Sequence, residues 1–157
     1  MNKEKIKIYA VWILIAEAVG ALSGFMSRKG MEIYSAYVQQ PPLSPPAILF
    51  PIVWGILYAL MGFGAARIYM AEPSRGRSSG LNLYILQLIV NFFWSLIFFN
   101  LQAYGFALFW LILLWTLVVS MTYTFRKSDP LAAYLQIPYL LWLTFAVYLN
   151  AGVWYLN

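Results

Sequence analysis

The sequence has no cysteine and no histidine, and only 10% of its residues carry charge. The first two absences exclude disulfides, thiolate nucleophiles, imidazole bases and the usual ligands of zinc and haem iron. No metal site and no resident cofactor is therefore expected. The scarcity of charge, set against 63% hydrophobic residues and a mean hydropathy of +0.74, leaves little with which to cover a water-facing surface. Nor does the chain alternate apolar and polar residues as a barrel strand does. The run LFWLILLWTLVV at 108–119 is apolar on every side except at Thr116.

What the chain has is length of apolar sequence. A hydrocarbon core of ~30 Å is crossed by roughly 20 helical residues. Five stretches qualify, at 8–26, 50–69, 81–100, 104–125 and 131–156. The fold class expected is all-α, a single integral membrane domain (1–157) built as a bundle of five transmembrane helices. The first stretch is longer than a signal-peptide core, carries Glu17 and lacks an A-x-A-like end, so it reads as a retained helix. The net charge of +5 sits at span ends, where acidic lipid head groups rather than nucleic acid are the counterpart. Five crossings put Lys3, Lys5, Lys7, Arg67, Arg75, Arg77, Arg126 and Lys127 on one side, and only Arg28 and Lys29 on the other. The positive-inside rule then places the N-terminus in the cytoplasm and the C-terminus outside. With no eukaryotic targeting segment evident, a bacterial plasma membrane is expected.

Within the spans, polar and aromatic residues recur at helical spacing. Glu17, Gly20 and Gly24 share a face of the first helix, and Gly20-x-x-x-Gly24 invites close approach by another backbone. Glu17 should face the bundle, as a proton site, as a ligand contact, or as a carboxyl tied to a neighbouring hydroxyl or amide. The connection 27–49 contains Pro41, Pro42, Pro45 and Pro46, which fix an extended, stiff course suited to a lid or to a spacer. The second helix aligns Trp54, Tyr58, Gly62 and Ala65. The third aligns Tyr84, Gln87, Asn91, Trp94, Ser95 and Phe98, a stripe that lines a cavity or bonds to other helices. Thr116, Ser120 and Thr124 can satisfy themselves on backbone carbonyls. The segment 72–80 reads as a mobile polar loop. On the fifth helix Pro138, Tyr139, Trp142, Ala146 and Asn150 lie roughly on one face. Among seven tryptophans, Trp12 and Trp154 suit the interfacial belt, whereas Trp54 and Trp142 suit a ligand-facing role.

Three segments resemble one known family. PPLSPPAILFPIVWGILYALMG at 41–62, QLIVNFFWSLIFF at 87–99 and PYLLWLTFAVYLN at 138–150 are similar, in order, to motifs of the TspO/translocator proteins. These are also called tryptophan-rich sensory proteins or peripheral-type benzodiazepine receptors. The resemblance implies a five-helix bundle with a pocket opening toward the first loop. It implies binding of porphyrins and of isoquinoline or benzodiazepine-type ligands, and a homodimer. It also implies light-dependent porphyrin degradation in some bacterial members, requiring the tryptophans that align with Trp54 and Trp142. The family pocket further implicates Asn91, Ala146 and Pro45, and the helical faces add Tyr58, Trp94 and Ser95. After Tyr148 no basic residue follows, so the C-terminal sterol motif of vertebrate members lacks its cation. The function expected is tetrapyrrole binding in stress response or scavenging, with propionates pointing out toward the first loop, near Arg28 and Lys29 or water. The alternatives are a carrier of porphyrin or another apolar metabolite, and a regulatory membrane partner.

Overall fold

Three of the helix starts are set by a side chain that takes over an orphan amide of the first turn. In the computed structural model, which describes residues 2–157, Asn2 Oδ1 accepts from the Lys5 amide at 2.8 Å and opens α1 (Lys3–Met26). A tight turn at Ser27 leads directly into a short helix, α2 (Arg28–Tyr37). The prolines follow, and α3 (Leu49–Tyr69) runs back. Ser74 Oγ caps α4 (Arg75–Ser95) through the Arg77 amide at 3.0 Å. The last turn of that span widens into a π turn, Leu96–Asn100. After α5 (Tyr104–Ser128), Asp129 caps the five-residue α6 (Pro130–Tyr134), and Pro138 sits in the first turn of α7 (Ile137–Leu156).

Five helical segments are long and apolar enough to cross a membrane: Lys3–Met26, Leu49–Tyr69, Arg75–Asn100, Tyr104–Ser128 and Pro130–Leu156. No strand occurs among the described residues. The exterior carries leucine, isoleucine and aromatic side chains, and the interior combines large apolar residues such as Met61, Tyr84, Phe125 and Tyr139 with the polar Gln87, Asn91, Gln136 and Asn150. An apolar exterior is what a lipid solvent favours. The close helix pairs are α1 with α3, α4 with α5, and α5 with α7. Gly62 makes the first possible, since a Cβ there would lie 2.6 Å from Ile13 Cα.

Successive helices alternate direction, and contacts at the two ends record it. At one end Arg67 Nε donates to Asp129 Oδ2 and Arg67 Nη1 to Tyr9 Oη at 3.4 Å, joining α1, α3 and the start of α6. At the other end Asn100 Nδ2 donates to Met26 O at 2.9 Å, and Asn157 exchanges hydrogen bonds with the Gln39 backbone.

Several details differ from the sequence-based expectation. The first connection is partly helical, because α2 docks on the π turn. Gly30 there meets Phe99 O, and Tyr34 wedges against Phe98 and Phe99 at ring centroid distances of 5.5 and 5.3 Å. The polar stretch 72–80 is mostly the first turns of α4, held by the Ser74 cap and by Arg77, whose guanidinium donates to Tyr69 O at 2.8 and 3.1 Å. Gly24 meets no neighbouring backbone within 4 Å, and Gly20 receives the Tyr58 ring instead.

Candidate functional site

Helix α3 places Phe50 and Trp54 one turn apart, and α7 does the same for Tyr139 and Trp142. Because the helices are antiparallel, the four rings form two rungs. Phe50 meets Trp142 edge-on at 5.8 Å, and Trp54 meets Tyr139 edge-on at 6.2 Å. The α3 and α7 backbones seldom approach one another, so aromatic rings rather than main chain occupy the space between them. Trp54 also tilts against Tyr58 at 5.6 Å, and Trp142 against Phe145 at 5.7 Å. Ala146, buried one turn beyond Trp142, keeps that wall shallow.

Behind the rungs runs a polar ladder. Tyr58 Oη donates to Asn91 Oδ1 at 3.4 Å, Asn91 Nδ2 to Tyr139 Oη at 2.7 Å, and Tyr139 Oη to Gln87 Oε1 at 2.7 Å. Gln87 Nε2 reaches Met61 Sδ at 3.8 Å. Each member is buried in apolar surroundings, where an unpaired amide or hydroxyl costs about 1–3 kcal/mol, so the ladder fixes the rotation of α3, α4 and α7 relative to one another.

Trp54, Tyr58, Asn91, Trp142 and Ala146 are thus brought together. Trp94 stands apart on the side toward the C-terminal end of α7. Its indole donates to Asn150 Oδ1 at 3.1 Å and it stacks on Phe98 at 5.0 Å. Ser95, half-buried, ends the α-helical part of the same span. Pro45 lies half-buried in the strap that crosses the end of α7. That strap is tied down by Tyr148 Oη, which donates to Pro42 O at 2.7 Å, and by Pro41, which rests on Gly152. Leu43 takes a left-handed φ of 70° to make the turn, closed by Ser44 Oγ donating to Pro41 O at 2.7 Å.

Arg28 and Lys29 lie elsewhere, on a separate concavity of about 360 Å³ beside Phe99 and Asn100 that shares no lining residue with the two rungs. A second hollow of about 230 Å³ opens between α5 and α7 at Trp115 and Thr144. Sequence reasoning placed Tyr139 on the right face without assigning it to the site, and it missed Phe50. Spacing could have found both: Tyr139 stands three residues before Trp142, and Phe50 four before Trp54.

The indole N–H groups of Trp94, Trp110 and Trp115 each meet an acceptor, at Asn150, Val90 O and Thr144 respectively. Those of Trp54 and Trp142 meet none among the described residues. Flat apolar walls with two unspoken-for donors suit a planar, largely apolar molecule carrying a few acceptors. No cluster of potential metal ligands exists among the described residues.

The fold defines an integral membrane protein, a bundle of five apolar helices with an aromatic cluster between α3 and α7. Residues 12–156 match the TspO/MBR family, and the chain belongs to that family. It is 33% identical to the tryptophan-rich protein TspO of Chlorobaculum tepidum over 158 residues, covering 100% of this chain and 99% of that one. It is 36% identical to the translocator protein of Sus scrofa, covering 87% and 84%. With the tryptophan-rich sensory protein of Cereibacter sphaeroides the identity is 33%, covering 95% and 92%.

Proposed function

We propose that this protein binds a porphyrin or similar tetrapyrrole between α3 and α7, as a stress-linked scavenger of such pigments. The observation that carries the reading is the pair of half-buried indoles, Trp54 and Trp142, on adjacent rungs with free N–H donors. Each 100 Å² of apolar ligand face covered contributes about 2.5 kcal/mol. A planar macrocycle therefore draws its affinity from stacking, and the indole donors orient it. Room for it comes from parting the two rungs, which is feasible because side chains, not backbone, bridge α3 and α7. The strap at Pro41–Pro46 then roofs the site, with Pro45 over the ligand. Ligand carboxylates leave toward water at the strap, since Arg28 and Lys29 stand on a different concavity. Isoquinoline and benzodiazepine-type molecules, flat and apolar, fit the same space.

The protein is read as a homodimer in a bacterial plasma membrane, with the N-terminus cytoplasmic. Where light and oxygen reach a bound porphyrin, the excited pigment takes an electron from the Trp54 or Trp142 indole, which is oxidised, and dioxygen is the oxidant that then opens the macrocycle. Carriage of the pigment across the bilayer is the rival reading. Protein-dependent flux in liposomes would favour it.

Titration of the purified protein with protoporphyrin, followed by tryptophan quenching, tests the reading. Trp54→Phe and Trp142→Phe together should weaken binding about tenfold or more, equivalent to roughly 1.4 kcal/mol, while Trp12→Phe should not. Equal quenching in all three proteins would refute the site. Unchanged bleaching of bound porphyrin in the double variant would remove the chemical role alone.

A further inference from the structure

The first turn of α2 carries two cations that no carboxylate answers. Arg28 and Lys29 are neighbours, yet the one ion pair among the described residues joins Arg67 to Asp129 at the far end of the bundle. Glu32, one turn further along α2, pairs with neither. The Arg28 guanidinium is nonetheless held in place. Its Nη1 donates to Phe25 O at 2.8 Å, and its central carbon lies 4.0 Å from the centre of the Phe25 ring. That spends one of five N–H donors and none of the charge. No side chain caps α2, and Ser27 Oγ, at the position from which a serine ordinarily caps, is buried without a partner.

These cations border a hollow rather than a flat surface. Arg28, Lys29 and Asn100 are the polar lining of the concavity of about 360 Å³, and Met26, Ile33 and Phe99 are its apolar lining. Two contacts fix its walls relative to each other. Asn100 Nδ2 donates to Met26 O at 2.9 Å, which pins the end of the π turn to the end of α1. Gly30 lets α2 lie directly on that turn, since a Cβ there would stand 2.5 Å from Phe99 O. Met26 and Ile33 are exposed, as is the adjoining Phe25. Met26 ends one membrane-crossing segment and Asn100 ends another, so the hollow lies at the level where hydrocarbon gives way to head groups.

We propose that this concavity is a binding site for an anionic phospholipid. The lipid phosphate pairs with Arg28 and Lys29, and the glycerol and upper acyl carbons lie against Met26, Ile33 and Phe99. Charge and depth together decide the occupant. Two unanswered cations call for an anion. A soluble phosphate would meet the charges but leave the exposed apolar rim uncovered, whereas a lipid phosphate is carried at this level with its hydrocarbon alongside. A zwitterionic lipid brings a cation of its own and gains less from two more. The basic residues at the other end of the bundle line no comparable hollow among the described residues and attract anionic lipid diffusely. Binding beside α2 therefore depends on shape as well as on charge.

The absence of native cysteine allows a local reporter. Ser35→Cys, on exposed α2, is labelled with bimane, and the full-length protein is placed in phosphatidylcholine bilayers containing phosphatidylglycerol with a doxyl spin label high on its acyl chain. Phosphatidylglycerol should quench the reporter saturably, at mole fractions about tenfold below those required of spin-labelled phosphatidylcholine. Arg28→Gln with Lys29→Gln should abolish that preference, and Arg28→Lys should keep it. Ile33→Trp fills the hollow while leaving both charges, and it should also abolish the preference. Arg75→Gln with Arg126→Gln, at the other end of the bundle, should leave it unchanged. Helical circular dichroism identifies the variants that fold. Equal quenching by the two lipids, or a preference that survives in the double glutamine variant or in Ile33→Trp, would overturn the proposal. So would displacement of the lipid by millimolar inorganic phosphate, which would mark a site for a soluble anion.

Discussion

At the scale of single residues, Tyr139 carries more of the site than either tryptophan. Its hydroxyl accepts from Asn91 and donates to Gln87 while its ring faces Trp54. Tyr139→Phe keeps the ring and its packing but leaves a buried amide N–H and a buried amide oxygen unpaired. In water-soluble proteins each such group costs about 1–3 kcal/mol, whereas interhelical bonds in membranes average about 0.6 kcal/mol. The two bonds together should therefore be worth about 1–2 kcal/mol, read as a lowered thermal midpoint in detergent by circular dichroism. Tyr155→Phe, at an 89% exposed position, is the matched control and should change nothing measurable. Equal midpoints for the two variants would mean the ladder does not fix the helix rotations. Sequence could mark Gln87, Asn91 and Tyr139 as polar or aromatic on inward faces. It could not say which would bond to which, because that depends on how far each helix is rotated and translated against its neighbours.

At the scale of elements, the parts legible in the sequence are those specified by long apolar runs. Five spans follow from hydropathy, and the inward faces of α3, α4 and α7 follow from spacing. Helix α2 was hidden because RKGMEIYSAY is short and polar, and its helicity rests on tertiary docking rather than on a hydrophobic run. The π turn has no sequence signature of its own. It leaves a place for Gly30 against Phe99 O and for Tyr34 among aromatic rings. Docking leaves a titration signature. Burial, reinforced by the neighbouring Tyr104 phenol, pushes the Tyr34 hydroxyl from its ordinary 10.0 up to about 12. With α2 undocked the phenol loses its proton near pH 10, whereas with α2 docked it keeps the proton until about pH 12. The undocked state thus binds fewer protons in that window, and docking weakens as pH rises through it, with no dependence on Tyr34 below it. The difference in tyrosinate absorbance between the native protein and Tyr34→Phe should have its midpoint near pH 12. A midpoint near 10 would mean that α2 stands free of the π turn.

At the scale of the whole molecule, charge asymmetry and helix direction combine into one statement about sidedness. Tyr9, Arg67 and Asp129 meet at one end, so the N-terminus and the connections after α3 and α5 share that end. Lys3, Lys5, Lys7, Arg75, Arg77, Arg126 and Lys127 gather there with Arg67, leaving Arg28 and Lys29 opposite. A basic residue near an anionic leaflet gains about 1 kcal/mol, so an excess of this size favours one insertion over its inverse by several kcal/mol. The cysteine-free sequence allows a direct reading of the result, since any single cysteine introduced is the only thiol. Ser78→Cys lies on the exposed first turns of α4 and Ser35→Cys on exposed α2, at opposite ends of the bundle. In intact cells a membrane-impermeant maleimide should label Ser35→Cys and spare Ser78→Cys until the membrane is breached. The reverse pattern would turn the molecule over and put the strap at Pro41–Pro46 in the cytoplasm. Labelling of both without lysis would mean that the charge excess does not fix a single insertion.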